Sequence, residues 1–203
     1  MTGLARQAKT LSDGQLRTLL RFVESETDFP ERNRVVVLLS FKAGLRAKEI
    51  ACVKWSMVTD AEGTLLDGLS LTNGASKGQS GRMVPLHPEL RTAMVTLIEQ
   101  EKSKRRGRAD DYIVTFTKES SDAVTRSNSV QFLFKFWYAK LGFMGASSHS
   151  GRRTFITKAA RTVSSVGGSL RDVQALAGHA SIQVTQRYVD CDPSAQKKLV
   201  ERL

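Results

Sequence analysis

The chain has 203 residues, of which 40% are hydrophobic and 25% charged, enough to bury one substantial core. Its 31 Lys and Arg outnumber its 20 Asp and Glu, a formal net charge of +11 spread along the whole length, so a folded basic surface that attracts polyanions is expected, with nucleic acid as the leading partner class. No apolar run approaches the ~18 residues of a membrane span and the start lacks the apolar core of a signal peptide, which argues against a membrane or exported protein and for the cytoplasm.

The first helix is read from LSDGQLRTLLRFVES, where Ser12 is the N-cap, Gln15 follows three residues on, and Leu16, Leu19, Leu20 and Val23 fall at helical spacing. Pro30 opens the next helix, whose apolar run is long enough for a central buried element, and Gly44 reads as its stop. A shorter helix passes through Ile50 and Val53. After Trp55 the pattern alternates, with Asn73-Gly74, Lys77-Gly78 and Val84-Pro85-Leu86, which predicts a small antiparallel sheet with turns at the glycines. Helices resume at HPELRTAMVTLIEQEKSK and at SNSVQFLFKFWYAKLG. From His149 onward a string of short helices is broken by Gly167-Gly168 and Gly178 and ends in a polar helix after Pro193. The fold class is therefore mainly α with one small antiparallel β-sheet, and residues 1–203 read as a single domain.

Cys52 and Cys191 are far apart and outside any CxxC pair, so reduced thiols are expected. His87, His149 and His179 lack metal-ligand spacing, and neither a metal nor a cofactor is expected. Arg46, just after the glycine stop, can offer a planar five-donor fork to two phosphate oxygens, with Glu49 three residues on to hold it; alone it means little and reads first as a solvated or carboxylate-paired arginine. His149 precedes Arg152 by three residues at the start of a helix, where free N–H groups favour an anion; the bland alternative is a capping histidine beside surface arginines. Lys77 on the hairpin reads as an exposed charge, or as an ammonium able to protonate a leaving alkoxide. Tyr188 follows His179 by nine residues and is either a core aromatic or a nucleophile.

Taken together, AGLRAKEI, KGQSGRMVPL, HSGRRTFIT and LAGHASIQVTQRY resemble, in order and spacing, the tyrosine recombinases of the phage-integrase family over roughly residues 10 to 195. The resemblance implies the integrase catalytic-domain fold of DNA breaking and rejoining enzymes. It implies a site-specific DNA recombinase, performing integration, excision or inversion through a 3′-phosphotyrosine intermediate and acting with DNA in the cytoplasm, associated with the nucleoid. Tyr188 would be the nucleophile, Arg46 and Arg152 would clamp the non-bridging oxygens, and Lys77 would protonate the leaving 5′-oxygen. His149 and His179 would bond the phosphate or shuttle protons. The partners implied are double-stranded DNA and other copies of the chain, in a homotetramer on paired DNA sites. The additional N-terminal domain that clamps the other face of the DNA in most members is expected to be absent. Arg153 stands where many relatives have a second histidine, and Leu199, Val200 and Leu203 form the amphipathic pattern that relatives dock on a neighbouring protomer.

The chemistry fits that set independently. A phenol titrates near ~10 and needs nearby positive charge or a base to attack at neutral pH. Two guanidiniums provide it and neutralise the five-coordinate transition state, where loss of such a donor typically costs ~10²–10³ in rate. Three competitors remain open at this point. SLRDVQALAGHASIQVTQRY also reads as a helix-turn-helix of a non-catalytic regulator. A type IB topoisomerase shares the chemistry. A metal-dependent nuclease would rest on Asp110, Asp111, Asp190 and Asp192.

Overall fold

The computed structural model describes residues 8–74, 81–103, 109–116, 122–189 and 200–201. Helix α1 spans Asp13–Ser25 and starts as its sequence dictates: Ser12 Oγ accepts from Gln15 N, and the Gln15 side chain accepts in return from Ser12 N. Its stripe of Leu16, Leu19, Leu20 and Val23 is buried. Helix α2, Pro30–Lys42, opens on proline, which lacks the N–H that a first helical turn cannot use. It is the central element, buried without interruption from Val35 through Phe41. Gly44, with φ +66°, turns the chain after it. The short helix α3, Ala47–Cys52, follows at once, and Trp55–Met57 make one 3-10 turn.

Strands β1, Gly68–Leu71, and β2, Arg82–Pro85, pair antiparallel, with Leu69 opposite Val84 and Leu71 opposite Arg82. The first expected turn, Asn73-Gly74, closes β1, whereas Lys77-Gly78 lies outside the described residues. Helix α4 is Pro88–Ser103. Helix α5, Ala123–Lys140, begins four residues before the expected Ser127, because Asp122 caps it: its Oδ2 accepts from Thr125 N at 2.7 Å. The extra turn carries Arg126, which is 2% exposed, donates to the carbonyls of Ala51 (2.9 Å) and Val114 (2.6 Å), and stacks 3.7 Å from the Tyr112 ring centroid. That arginine ties α5 to α3 and to the segment before it.

The last described helices are α6 (Ser150–Thr162), a 3-10 turn (Val163–Val166), α7 (Leu170–Ala177) and α8 (Ile182–Gln186). The polar helix expected after Pro193 falls outside the described residues apart from residues 200–201. Helices α1 to α5 enclose the main core, while Ile156, Val163, Val173 and Ala177 form a smaller one that Tyr188 packs against. Helix α6 lies hard on α2: a Cβ added at Gly151 would stand 2.2 Å from Ser40 Oγ and 2.7 Å from the Phe41 ring. That contact brings the start of α6 beside the turn at Gly44 and thereby fixes Arg152 next to Arg46. Among the described residues no helix is long and apolar enough to cross a membrane.

Candidate active site

Five of the six residues singled out in the sequence, Arg46, His149, Arg152, His179 and Tyr188, line a single cleft of about 430 Å³; Ala8, Ser147, Arg153, Val184 and Arg187 complete its wall. The sixth, Lys77, lies outside the described residues. Each of the five reaches the cleft for a local reason. Arg46 is the N-cap of α3, and the carboxylate of Glu49, one turn on, accepts from its backbone N–H and from Nη1, both at 2.8 Å. His149 sits at the N-cap of α6 but makes no side-chain cap there, so it is not the capping histidine of the bland reading and remains exposed at the cleft rim. Arg152, in the first turn of the same helix, points inward and is 4% exposed.

Helix α7 ends at Gly178, whose φ of +59° reverses the chain so that His179 folds under it. His179 Nδ1 meets Thr185 Oγ1 of α8 at 2.9 Å, and its ring stacks on that of Tyr188 with centroids 5.6 Å apart. Tyr188 itself is half-buried, held by its N–H to Thr185 O at 3.0 Å, with the Arg153 guanidinium 5.9 Å from its ring centroid. The aromatic packs and lines the cleft at once, so core contact and exposure to the cleft are not alternatives here. Helix α8 has five residues, with Thr185 buried beneath it and Val184 facing the cleft, so it packs against the site rather than presenting the long free face of a recognition helix.

The electrostatics follow from three arginines gathered about one carboxylate. Glu49 is 0% exposed. Burial would raise its pKa, but the Arg82 fork (Nη1 to Oε1 3.0 Å, Nη2 to Oε2 3.2 Å) and then Arg46 outweigh that and hold it below the usual carboxylate range. Arg152 Nη1 stands 3.9 Å from the same carboxylate and donates to Gly44 O at 2.6 Å, while Nη2 donates to Ala177 O at 2.5 Å. Burial, then the neighbouring Arg46 charge, push Arg152 down to about 10, which leaves it a cation at neutral pH. His179 is pushed down to about 4 by burial and by Arg152, Arg46 and Arg82. Partial desolvation, with Arg152 and Arg46, lowers His149 in the same direction. Both imidazoles are therefore uncharged acceptors at pH 7 in a cleft with a cationic floor, which is an arrangement suited to holding a tetrahedral anion while a neighbouring hydroxyl gives up its proton to a base.

The sequence assigns no role to Arg82. It stands at the head of β2 inside a motif already singled out, and its side chain is 7% exposed. No local pattern marks it, since a strand-edge arginine is ordinarily solvated. Asp110 pairs with Lys54 at 3.6 Å and does not line the cleft, and Asp190 and Asp192 lie outside the described residues.

Residues 9–194 match the family model described as "Phage integrase family". Among curated proteins, the chain is 27% identical over 193 residues to tyrosine recombinase XerC of Bacillus pumilus, covering 93% of this chain and 59% of that one. It is 30% identical over 187 residues to XerD of Ralstonia nicotianae, covering 90% and 56%. The chain thus spans somewhat under two thirds of the length of these relatives. Among solved structures, it is similar in fold to XerA recombinase (TM-score 0.71, 23% identity, 95% of this chain and 64% of that one). A similar likeness holds to XerH site-specific recombinase bound to difH substrate (TM-score 0.71, 18% identity, 98% and 55%).

Proposed function

Because the chain belongs to the phage integrase family, we propose that it is the catalytic part of a site-specific DNA recombinase that cuts and rejoins strands through a phosphotyrosine. The observation that carries this reading is the convergence of Arg46, His149, Arg152, His179 and Tyr188, drawn from three separated stretches of chain, on one cleft. The scissile phosphate enters the cleft, with the Arg46 and Arg152 forks on its non-bridging oxygens. The Tyr188 hydroxyl attacks phosphorus, and its proton passes to a neutral imidazole, His149 or His179. The phosphorus–5′-oxygen bond breaks as the new ester forms, and the 5′-oxygen leaves as a hydroxyl, protonated by Lys77. The ester conserves the energy of the phosphodiester, so a 5′-hydroxyl from another strand reverses the step without ATP. Exchange between two sites takes four protomers on paired duplexes, in the cytoplasm at the nucleoid.

The test is a pool of random-sequence duplexes nicked just 3′ of the cleavable position, so that the short 5′-hydroxyl strand diffuses away. Wild-type chain should accumulate a covalent adduct that survives SDS and phosphatase and is released by protease, and sequencing the trapped strands defines the site. Tyr188→Phe should form no adduct while binding the selected duplex within about threefold of wild type, since one hydroxyl contributes little to an interface dominated by phosphate contacts. An adduct formed by Tyr188→Phe, or none formed by wild type, sinks the reading.

A further inference from the structure

The C-terminal turn of α7 presents three successive carbonyls, and three arginines take one each. Arg82 Nε donates to Leu176 O at 2.7 Å, Arg152 Nη2 to Ala177 O at 2.5 Å and Arg46 Nη2 to Gly178 O at 3.4 Å. Cations at a helix C-terminus are favoured by its exposed carbonyls and dipole. Arg46 and Arg152 face the cleft, but Arg82 is absent from its wall. Arg82 instead occupies both oxygens of Glu49 from behind, with 7% of its side chain exposed, and packs so closely on Gly178 that a Cβ there would meet its Nη1 at 2.7 Å.

We propose that Arg82 is a positioning residue, which aligns the Arg46 and Arg152 forks by holding Glu49 and the α7 C-terminal turn in place. Glu49 has four arginine-borne hydrogen bonds, one from the Arg46 backbone and one from its fork, and two from Arg82. Without Arg82 the buried carboxylate loses half of these, and the nearest replacement is Arg152 Nη1, already 3.9 Å from Oε2. The carboxylate then draws that fork toward itself and away from the cleft, while the turn that holds Arg152 Nη2 loses its Leu176 anchor. Arg82 never touches the phosphate, and its effect reaches the reaction only through the two forks that do.

This inference rests on the phosphate-binding reading of the cleft, and its test separates the two. The selected nicked duplex is prepared with an ordinary scissile phosphate and with a methylphosphonate there, in which one non-bridging oxygen, and with it the negative charge, is replaced by methyl. With protein saturating, Arg82→Met should slow adduct formation on the phosphate by about 10- to 100-fold, the scale of a sub-ångström to 1 Å displacement of reacting groups. Its affinity for the duplex should stay within about threefold, because the scissile phosphate is one of many backbone phosphates that hold the duplex. On the methylphosphonate the defect should shrink at least tenfold, since there is less charge for the forks to neutralise. Arg82→Lys, which keeps the charge and one hydrogen bond to Glu49, should recover most of the rate, and Arg82→Gln, which keeps a donor without the charge, carries the same comparison if Arg82→Met does not fold. Equal defects on both substrates, a loss of affinity that matches the loss of rate, or a wild-type rate in the uncharged variant overturns the role of Arg82 and leaves the nucleophile untouched. No adduct from wild-type chain removes the reading on which both depend.

Discussion

Replacing Glu49 by glutamine tests the physical centre of the site. The carboxylate is fully buried and accepts four hydrogen bonds, two on each oxygen, from Arg46 and Arg82. An amide of the same shape keeps one acceptor and turns an NH2 toward two N–H donors, whichever way it is flipped, while three guanidiniums lose their shared counter-charge. Removing one partner of a buried ion pair costs about 3–5 kcal/mol. At roughly 2–4 °C per kcal/mol for a domain of this size, the midpoint of thermal unfolding should fall by about 10 °C at pH 7. The pH dependence gives an independent check. Glu49 titrates below the ordinary glutamate value of 4.5 in the folded chain, so its stabilisation is fully present above that pH and is lost as pH falls through the lower folded value. Urea unfolding of both proteins from pH 7 downward should therefore show a difference that is constant at first and narrows below pH about 4.5. A difference under about 1 kcal/mol at pH 7, the level of an exposed pair, would refute the buried-hub argument. So would a difference that widens on acidification.

Gly178→Ala should lower the unfolding midpoint by about 5 °C, because an L-residue in the left-handed region costs about 1–2 kcal/mol and the new Cβ also meets Arg82. Gly178→Asn tolerates that φ but carries the same Cβ, so it should recover little; full recovery in a thermal melt would leave backbone conformation as the whole cause. Gly151→Ala should destabilise by about 1–3 kcal/mol although alanine is normally the better helix former, since its Cβ would stand 2.2 Å from Ser40 Oγ. That hydroxyl is buried with no hydrogen-bond partner among the described residues, so adding Ser40→Ala should return part of the loss, as read by chemical denaturation. Burial, with the nearby arginines, pushes His179 down to about 4, so the unfolded chain takes up a proton there before the folded chain does. Stability should accordingly decline as pH falls from about 6.5 to about 4, and His179→Gln should flatten that part of the profile.

The elements legible in the sequence are those whose causes lie within a few residues of one another. Ser12 and Gln15 cap α1 across three positions, Pro30 needs only its own missing N–H to open α2, and Gly44 needs only its own φ to end it. Arg46 and Glu49 belong to the same class, one turn apart, and their pairing is legible from spacing alone. The four short motifs were readable too, because their order and spacing are themselves a sequence property. The start of α5 was placed late, since Asp122 caps it from beyond the apolar pattern that announced the helix.

Tertiary structure alone decided what Arg82 and Arg152 do. Arg82 meets Glu49 across 33 positions and Arg152 reaches Gly44 O across 108, and nothing in a one-dimensional pattern distinguishes such an arginine from a solvated one. Whether a guanidinium is buried depends on the backbone contacts that exclude water around it, here the pressing of α6 onto α2 at Gly151 and the left-handed turn at Gly178. Local stereochemistry thus set where the helices begin and end, while long-range packing set which charges share one desolvated centre, because desolvation is a property of the assembled surroundings and not of any single stretch of chain.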